Sequence, residues 1–138
     1  MSKLVRFGIS LEENLLKKFD SHLKEGGYTN RSEAIRDLIR EGLVEREWQD
    51  DEEITGAVTL VYDHHKRELV NRLVGIQHSY HDNTISTQHL HLDRDNCLEI
   101  IAVKGRADRI KALYGRLKAE KGVKHALLAM STTGKKIG

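Results

Sequence analysis

Thr84–Val103 reads TISTQHLHLDRDNCLEIIAV, two strand-like arms flanking Asp93-Arg94-Asp95-Asn96. A short polar run of Asp and Asn between such arms predicts a β-hairpin with strands Thr84–Leu92 and Cys97–Val103. Upstream, His64–Gln77 sets Leu69, Leu73 and Ile76 on one side of a helix, and Thr55–Tyr62 is strand-like through Ala57-Val58-Thr59-Leu60-Val61. Downstream, Ala107–Lys121 carries Ile110, Leu113 and Leu117 at helical spacing, and Val123–Met130 reads as a last strand. The order is βαββαβ, the split ferredoxin-like pattern, so this segment is α+β. Many activities share that architecture, and it decides none of them.

The preceding residues read strand, helix, helix. Val5, Phe7, Ile9 and Leu11 alternate with Arg6, Gly8 and Ser10, giving one apolar and one polar strand face. Leu11, Leu15, Leu16, Phe19 and Leu23 follow a helical period up to Gly26-Gly27. Thr29-Asn30-Arg31-Ser32-Glu33 offers capping residues for a second helix with Ile35, Leu38, Ile39 and Leu43 on its apolar face. About 50 residues with one strand bury too little surface to stand alone, and the strand's backbone groups need a partner. A second copy of the chain supplies one, as a two-stranded antiparallel ribbon. The expected division is a strand-helix-helix domain at 1–50, a linker at 51–54 around the acidic run Asp50–Glu53, and the βαββαβ domain at 55–138.

Composition narrows the function classes. The 138 residues are 38% hydrophobic and 32% charged, with no proline and a single cysteine that cannot close an internal disulfide. No stretch approaches 18 consecutive apolar residues and no signal-like segment opens the chain, so the expectation is a cytoplasmic protein without a membrane partner. A net charge of +2 argues against wholesale polyanion binding. It splits into 9 basic against 10 acidic residues over 1–50 and 14 against 8 over 54–138. Eight histidines are unusual for this length, and six lie between His64 and His91.

His89 and His91 are two apart on a strand, so their imidazoles share a face. Cys97 follows across a short turn, and His78, just past the preceding helix, can add a third nitrogen from this chain or another. Three nitrogens and a sulfur suit Ni(II), Cu(II) or Zn(II) rather than Mg(II) or Ca(II). The plain alternative is a surface histidine pair and a core cysteine. Glu99, two beyond Cys97, is placed to accept a hydrogen bond from a ligating imidazole. His64 and His65 read as solvated at a helix start, His81 as a surface residue, and His22 and His125 as incidental. Glu33 and Asp37, four apart on a helix, suit a hard cation, though Arg36 and Arg40 offset them. On the polar strand face Arg6 and Ser10 can reach base edges in a major groove, with Gly8 contributing shape alone. Asn30, Arg31 and Ser32 at a helix N-terminus suit phosphate, and Lys66 and Arg67 offer further phosphate contacts.

Asn30-Arg31-Ser32-Glu33-Ala34-Ile35-Arg36-Asp37, Gln77-His78, His89-Leu90-His91 and Cys97-Leu98-Glu99-Ile100 together resemble the nickel-responsive repressor family, NikR, nearly end to end. The resemblance implies a dimeric N-terminal ribbon-helix-helix domain and a C-terminal ACT-type domain. It implies a homotetramer, a dimer of dimers, that represses nickel-uptake genes at inverted-repeat double-stranded operator DNA. It assigns one Ni(2+) per subunit to His89, His91 and Cys97 of one chain and His78 of a facing one, supported by Gln77 and Glu99. Glu33 and Asp37 match a second cation position, for K+ or another ion, at the domain interface. Arg6, Gly8 and Ser10 match the base-reading positions. No enzyme is expected, since four protein ligands leave no vacancy and no general base stands near. The alternatives are a regulator answering to copper or zinc, a metal storage or delivery protein, and a sensor of a small organic effector.

Overall fold

The structure is a computed structural model and describes residues 2–138. It divides into two compact units, 1–39 and 40–138.

In the first unit, α1 (Glu13–Glu25) buries Leu23 and ends in a Schellman turn: Tyr28 N–H donates to the Leu23 carbonyl at 3.0 Å and Gly27 N–H to that of Lys24 at 3.4 Å. Gly27 occupies the left-handed region that this turn demands, at φ 74°. The next helix, α2 (Arg31–Gln49), crosses the unit boundary and starts as its sequence suggests, with Asn30 Oδ1 accepting the Glu33 N–H at 3.0 Å. The strand expected over Val5–Leu11 does not form. Residues 2–12 carry no regular structure, and Leu4, Val5, Phe7 and Ile9 are exposed. Strand geometry is held by a ladder, and one chain offers this segment none.

The second unit is built on a four-stranded antiparallel sheet of β1 (Glu53–Asp63), β2 (Thr84–His91), β3 (Asn96–Arg106) and β4 (Val123–Met130), in the order β2-β3-β1-β4. Two helices, α3 (Arg67–Ser79) and α4 (Ala107–Ala119), complete the βαββαβ order. Leu69, Leu73 and Ile76 of α3 and Ile110, Leu113 and Leu117 of α4 pack into one core with Val58, Leu60 and Tyr62 of β1 and Cys97, Ile101 and Val103 of β3. Residues of the opposite sheet face, including Val61, Leu98 and Ile100, are only partly buried, and Leu127 is exposed. Among the described residues no helix is long and apolar enough to cross a membrane.

Two further expectations need correction. Residues 51–54, read as part of a solvated linker, form a tied corner. Asp51 adopts φ 52°, its Oδ1 accepts the Asp108 N–H at 2.9 Å, and its Oδ2 accepts from the Arg106 guanidinium at 2.7 Å. The acid run caps the N-terminus of α4, whose first amides have no partner within the helix. Strand β1 already begins at Glu53, and Ile54 is fully buried. Helix α3 starts at Arg67 rather than His64, because Asp63 Oδ1 takes the His65 N–H at 2.9 Å and its carbonyl the Lys66 N–H at 3.2 Å. This is an Asx turn, which competes with helix.

The C-terminal residues strap the end of α2 to the sheet. Trp48 Nε1–H donates to the Ser131 carbonyl at 2.9 Å, and Thr55 Oγ1–H to that of Thr132 at 2.8 Å. The hydroxyl of Thr132 in turn donates to the buried Glu47 carboxylate at 2.8 Å. Thr132→Ala leaves a buried acceptor unpaired and is expected to cost about 1–3 kcal/mol. Urea unfolding followed by the fluorescence of Trp48, the single tryptophan, measures it.

Candidate metal centre

The β2–β3 register builds the centre. His91 pairs with Cys97 and His89 with Glu99 across the two strands, and directly opposed residues project to the same sheet face. On β3 that face holds Cys97, Glu99, Ile101 and Val103, the side packed by the helices. Both imidazoles therefore share a face with the cysteine, as the spacing predicts.

Glu99 anchors the cluster. Its carboxylate, with 1% of the residue exposed, lies 2.9 Å from His89 Nε2 and accepts from Gln77 Nε2 at 3.0 Å and from the Tyr62 hydroxyl at 3.3 Å. Thr87 Oγ1–H then donates to Gln77 Oε1 at 3.2 Å, fixing the amide the right way round. Burial pushes the Glu99 carboxyl up, against the opposing pull of His89, Gln77 and Tyr62. Burial likewise raises the Cys97 thiol, with the Tyr62 hydroxyl acting the other way and the Glu99 charge adding to the rise. Tyr62 itself is raised, by burial first and by the Glu99 charge second.

His78 lies in the last turn of α3 and, with Gln77, His81, Thr87 and His89, lines an open cleft of about 380 Å³. Within this chain the four expected ligands do not close on one point: among the described residues no three His, Cys, Asp or Glu side chains are grouped to hold a metal ion. For the second cation position, Glu33 accepts from Thr29 Oγ1 at 3.0 Å and Asp37 from the Tyr28 hydroxyl at 2.8 Å.

Two contributors escape a reading by spacing. Tyr62 reaches the cluster through the β1–β3 register, where it pairs with Cys97. His64, expected to be solvated, is partly buried and lies flat against His91, with ring centroids 4.7 Å apart and planes 17° from parallel. Both depend on pairings between distant stretches of chain, which local periodicity does not encode.

The expected nucleic-acid contacts are scattered over both units. Arg6, Gly8 and Ser10 are exposed in the irregular N-terminal segment, and a side chain added at Gly8 would meet nothing within 4 Å. Asn30 spends its side-chain oxygen on the helix cap. Ser32 is exposed beside it, and Arg31 is engaged by Asp20 in a two-pronged pair at 3.0 and 2.9 Å. Lys66 and Arg67 stand at the start of α3 in a cleft shared with Arg72 and Lys121, where Arg72 is paired with Glu120 at 2.8 Å.

A strand-helix-helix sequence followed by a ferredoxin-like domain bearing a His-X-His pair opposite a cysteine is the arrangement that the resemblance to metal-linked DNA-binding regulators implies. Residues 55–131 match the family model described as the NikR C-terminal nickel-binding domain, and residues 5–46 match that of the ribbon-helix-helix proteins of the CopG family. A protein of Syntrophus aciditrophicus named "Putative nickel-responsive regulator" is 57% identical over 134 residues, 97% of this chain and 98% of its own. One of the same name from Pyrococcus furiosus is 53% identical over 135 residues, again 97% and 98%. An uncharacterized protein of Thermotoga maritima, at 16% identity and a TM-score of 0.52, covers 57% of this chain and 98% of its own and shares the fold. The chain belongs to the nickel-responsive regulator family.

The hairpin carrying His91 and Cys97 is held by Asp93, whose Oδ1 accepts the N–H groups of Asp95 and Asn96 at 2.9 Å each. Hydrogen bonds from the Asn96 side chain, then from these amides, lower the Asp93 carboxyl to about 2. A depressed acid stabilises the fold above its unfolded value, and that contribution disappears as pH falls through the folded one. The amide shifts of Asp95 and Asn96 are therefore expected to titrate together near pH 2 by NMR, and Asp93→Ala to abolish that step.

Proposed function

We propose that this protein is a nickel-responsive transcriptional repressor of nickel-uptake genes, acting in the cytoplasm as a homotetramer on inverted-repeat operator DNA. Its ligands for one Ni(2+) per subunit are His89, His91 and Cys97 of one chain and His78 of a facing chain. The observation that carries the reading is the β2–β3 register, which brings two imidazoles to the cysteine's face over a buried carboxylate. The donors fit the ion: three nitrogens and a thiolate favour a late divalent transition metal over a hard cation. When bound, the ion supplies a cross-link between the chains that donate its ligands.

The chain's own groups do the rest. Glu99 receives the ring N–H of His89 and so commits that imidazole's other nitrogen to the metal side. Gln77, bonded to Glu99, ties the last turn of α3, and with it His78, to the strand that carries Cys97. The same helix begins at Lys66 and Arg67, the phosphate-facing pair of this reading, so ordering its end also orders its start. In the N-terminal unit two copies pair their Val5–Leu11 segments, presenting Arg6 and Ser10 to base edges, with Asn30, Arg31 and Ser32 at the backbone. A second cation, potassium or another ion, is assigned to Glu33 and Asp37. Linkage makes the coupling mutual: operator DNA tightens nickel binding by the factor that nickel tightens DNA binding.

The test is a gel shift on inverted-repeat DNA from the protein's own upstream region, with and without stoichiometric nickel. Retardation is expected with nickel alone and is expected to vanish in His89→Ala and Cys97→Ala; retardation that ignores nickel overturns the proposal. Because Cys97 starts as a raised, protonated thiol, each binding event releases its proton. Nickel affinity is expected to weaken about tenfold per unit of falling pH below the thiol's range, as read by chelator competition.

A further inference from the structure

We propose that His64 is a positioning residue for His91, its ring serving as a wall that holds the ligating imidazole in place before any ion arrives. The inference rests on the nickel reading of His91 and adds a residue to it.

Two turns distant in sequence are latched together at this point. His64 N–H donates to the Asp95 carbonyl at 3.3 Å, and the ring of His65 donates through Nε2 to the Arg94 carbonyl at 2.8 Å. Within its own turn, His65 is pinned by Asp63 Oδ1 through its backbone N–H at 2.9 Å. The latch sets His64 against two rings. His91 lies almost parallel to it at 4.7 Å, and His65 is tilted by 41° at 4.2 Å. The Nδ1 of His64 is buried and has no hydrogen-bond partner among the described residues. The contact of this ring with His91 is through its face. His91 pairs with Cys97 in the hairpin whose turn holds the far side of the latch. The stack thus removes rotamers that His91 would otherwise lose on binding, and a ligand already ordered binds more tightly.

Two variants separate the face of the ring from its nitrogens: His64→Ala removes both, and His64→Phe keeps the face alone. In the metal-free protein, NMR of the His91 ring protons is expected to show a ring-current shift that His64→Ala abolishes and His64→Phe retains. With nickel bound, His64→Ala is expected to release the ion to EDTA about fivefold faster than the parent, the worth of one aromatic pair. The nickel–sulfur charge-transfer absorption is expected to persist, since Cys97 is untouched, and His64→Phe is expected to restore the parental rate. An unchanged release rate in His64→Ala overturns the proposal. So does a His64→Phe protein that loses nickel as fast as His64→Ala, because the nitrogen would then be the working part. A parent protein without the nickel–sulfur band would instead overturn the metal reading, and the metal-free spectra would still decide whether the stack orders His91.

Discussion

Glu99 sits on β3 with almost no contact with solvent, and an acid at that depth persists only where the groups around it make up for the water it has lost. Those groups come from three other elements: Tyr62 from β1, Gln77 from α3 and His89 from β2. The carboxylate is therefore a joint at which the central strand, the edge strand and a covering helix must all be in register together. A one-residue slip of β2 would turn His89 to the opposite face and leave the acid short of its imidazole partner. The same slip would remove His91 from Cys97. Core stability and the donor geometry thus depend on one pairing.

In the proposed regulator this joint also accounts for how a small ion could matter at a distance. Helix α3 has 13 residues, roughly 20 Å at the usual rise, with basic residues at its start and His78 in its final turn. Gln77 is bonded to Glu99 and neighbours His78, so the helix end is set by the acid that steadies His89. The remainder of the cleft, His78 and His81 included, is open and exposed. Exposed donors beside a rigid frame suit a site completed from outside the chain, where binding orders what is loose without straining what is packed.

Much of this was readable in the amino-acid order, and the exceptions share a cause. The hairpin, the shared face of His89 and His91, and the last strand at Val123–Met130 follow from alternation and turn chemistry, which are local. Asn30 as a helix cap is local as well. The contributions of Tyr62 and His64 needed β1 laid against β3 and one turn latched to another, 35 and 31 residues away. The acidic corner misled because a run of like charges ordinarily faces water. Here one of its members, Asp51, serves a helix start 57 residues further on. The shared face of two histidines can thus be legible from spacing while the groups packed around them are not.

The N-terminal segment takes the same reasoning one step further. Its alternation is as regular as any in the chain, yet no strand forms, and its apolar residues Leu4, Val5, Phe7 and Ile9 face outward. Nearby, Ile9, Leu11, Leu15, Leu16, Phe19 and Leu38 line an apolar cleft of about 310 Å³. Within this unit only Leu23 and Ala34 are buried among the described apolar residues. A unit of some 40 residues with so small a core lies below the size at which a chain stabilises itself without help. Pairing with a second copy meets both needs at once, giving the strand its ladder and the cleft its cover. In the proposed regulator such a pair would be two-fold symmetric, and so would the DNA it reads. An inverted repeat in that operator would be owed to the incompleteness of one small unit, and the metal would have only to decide when two such pairs engage it together.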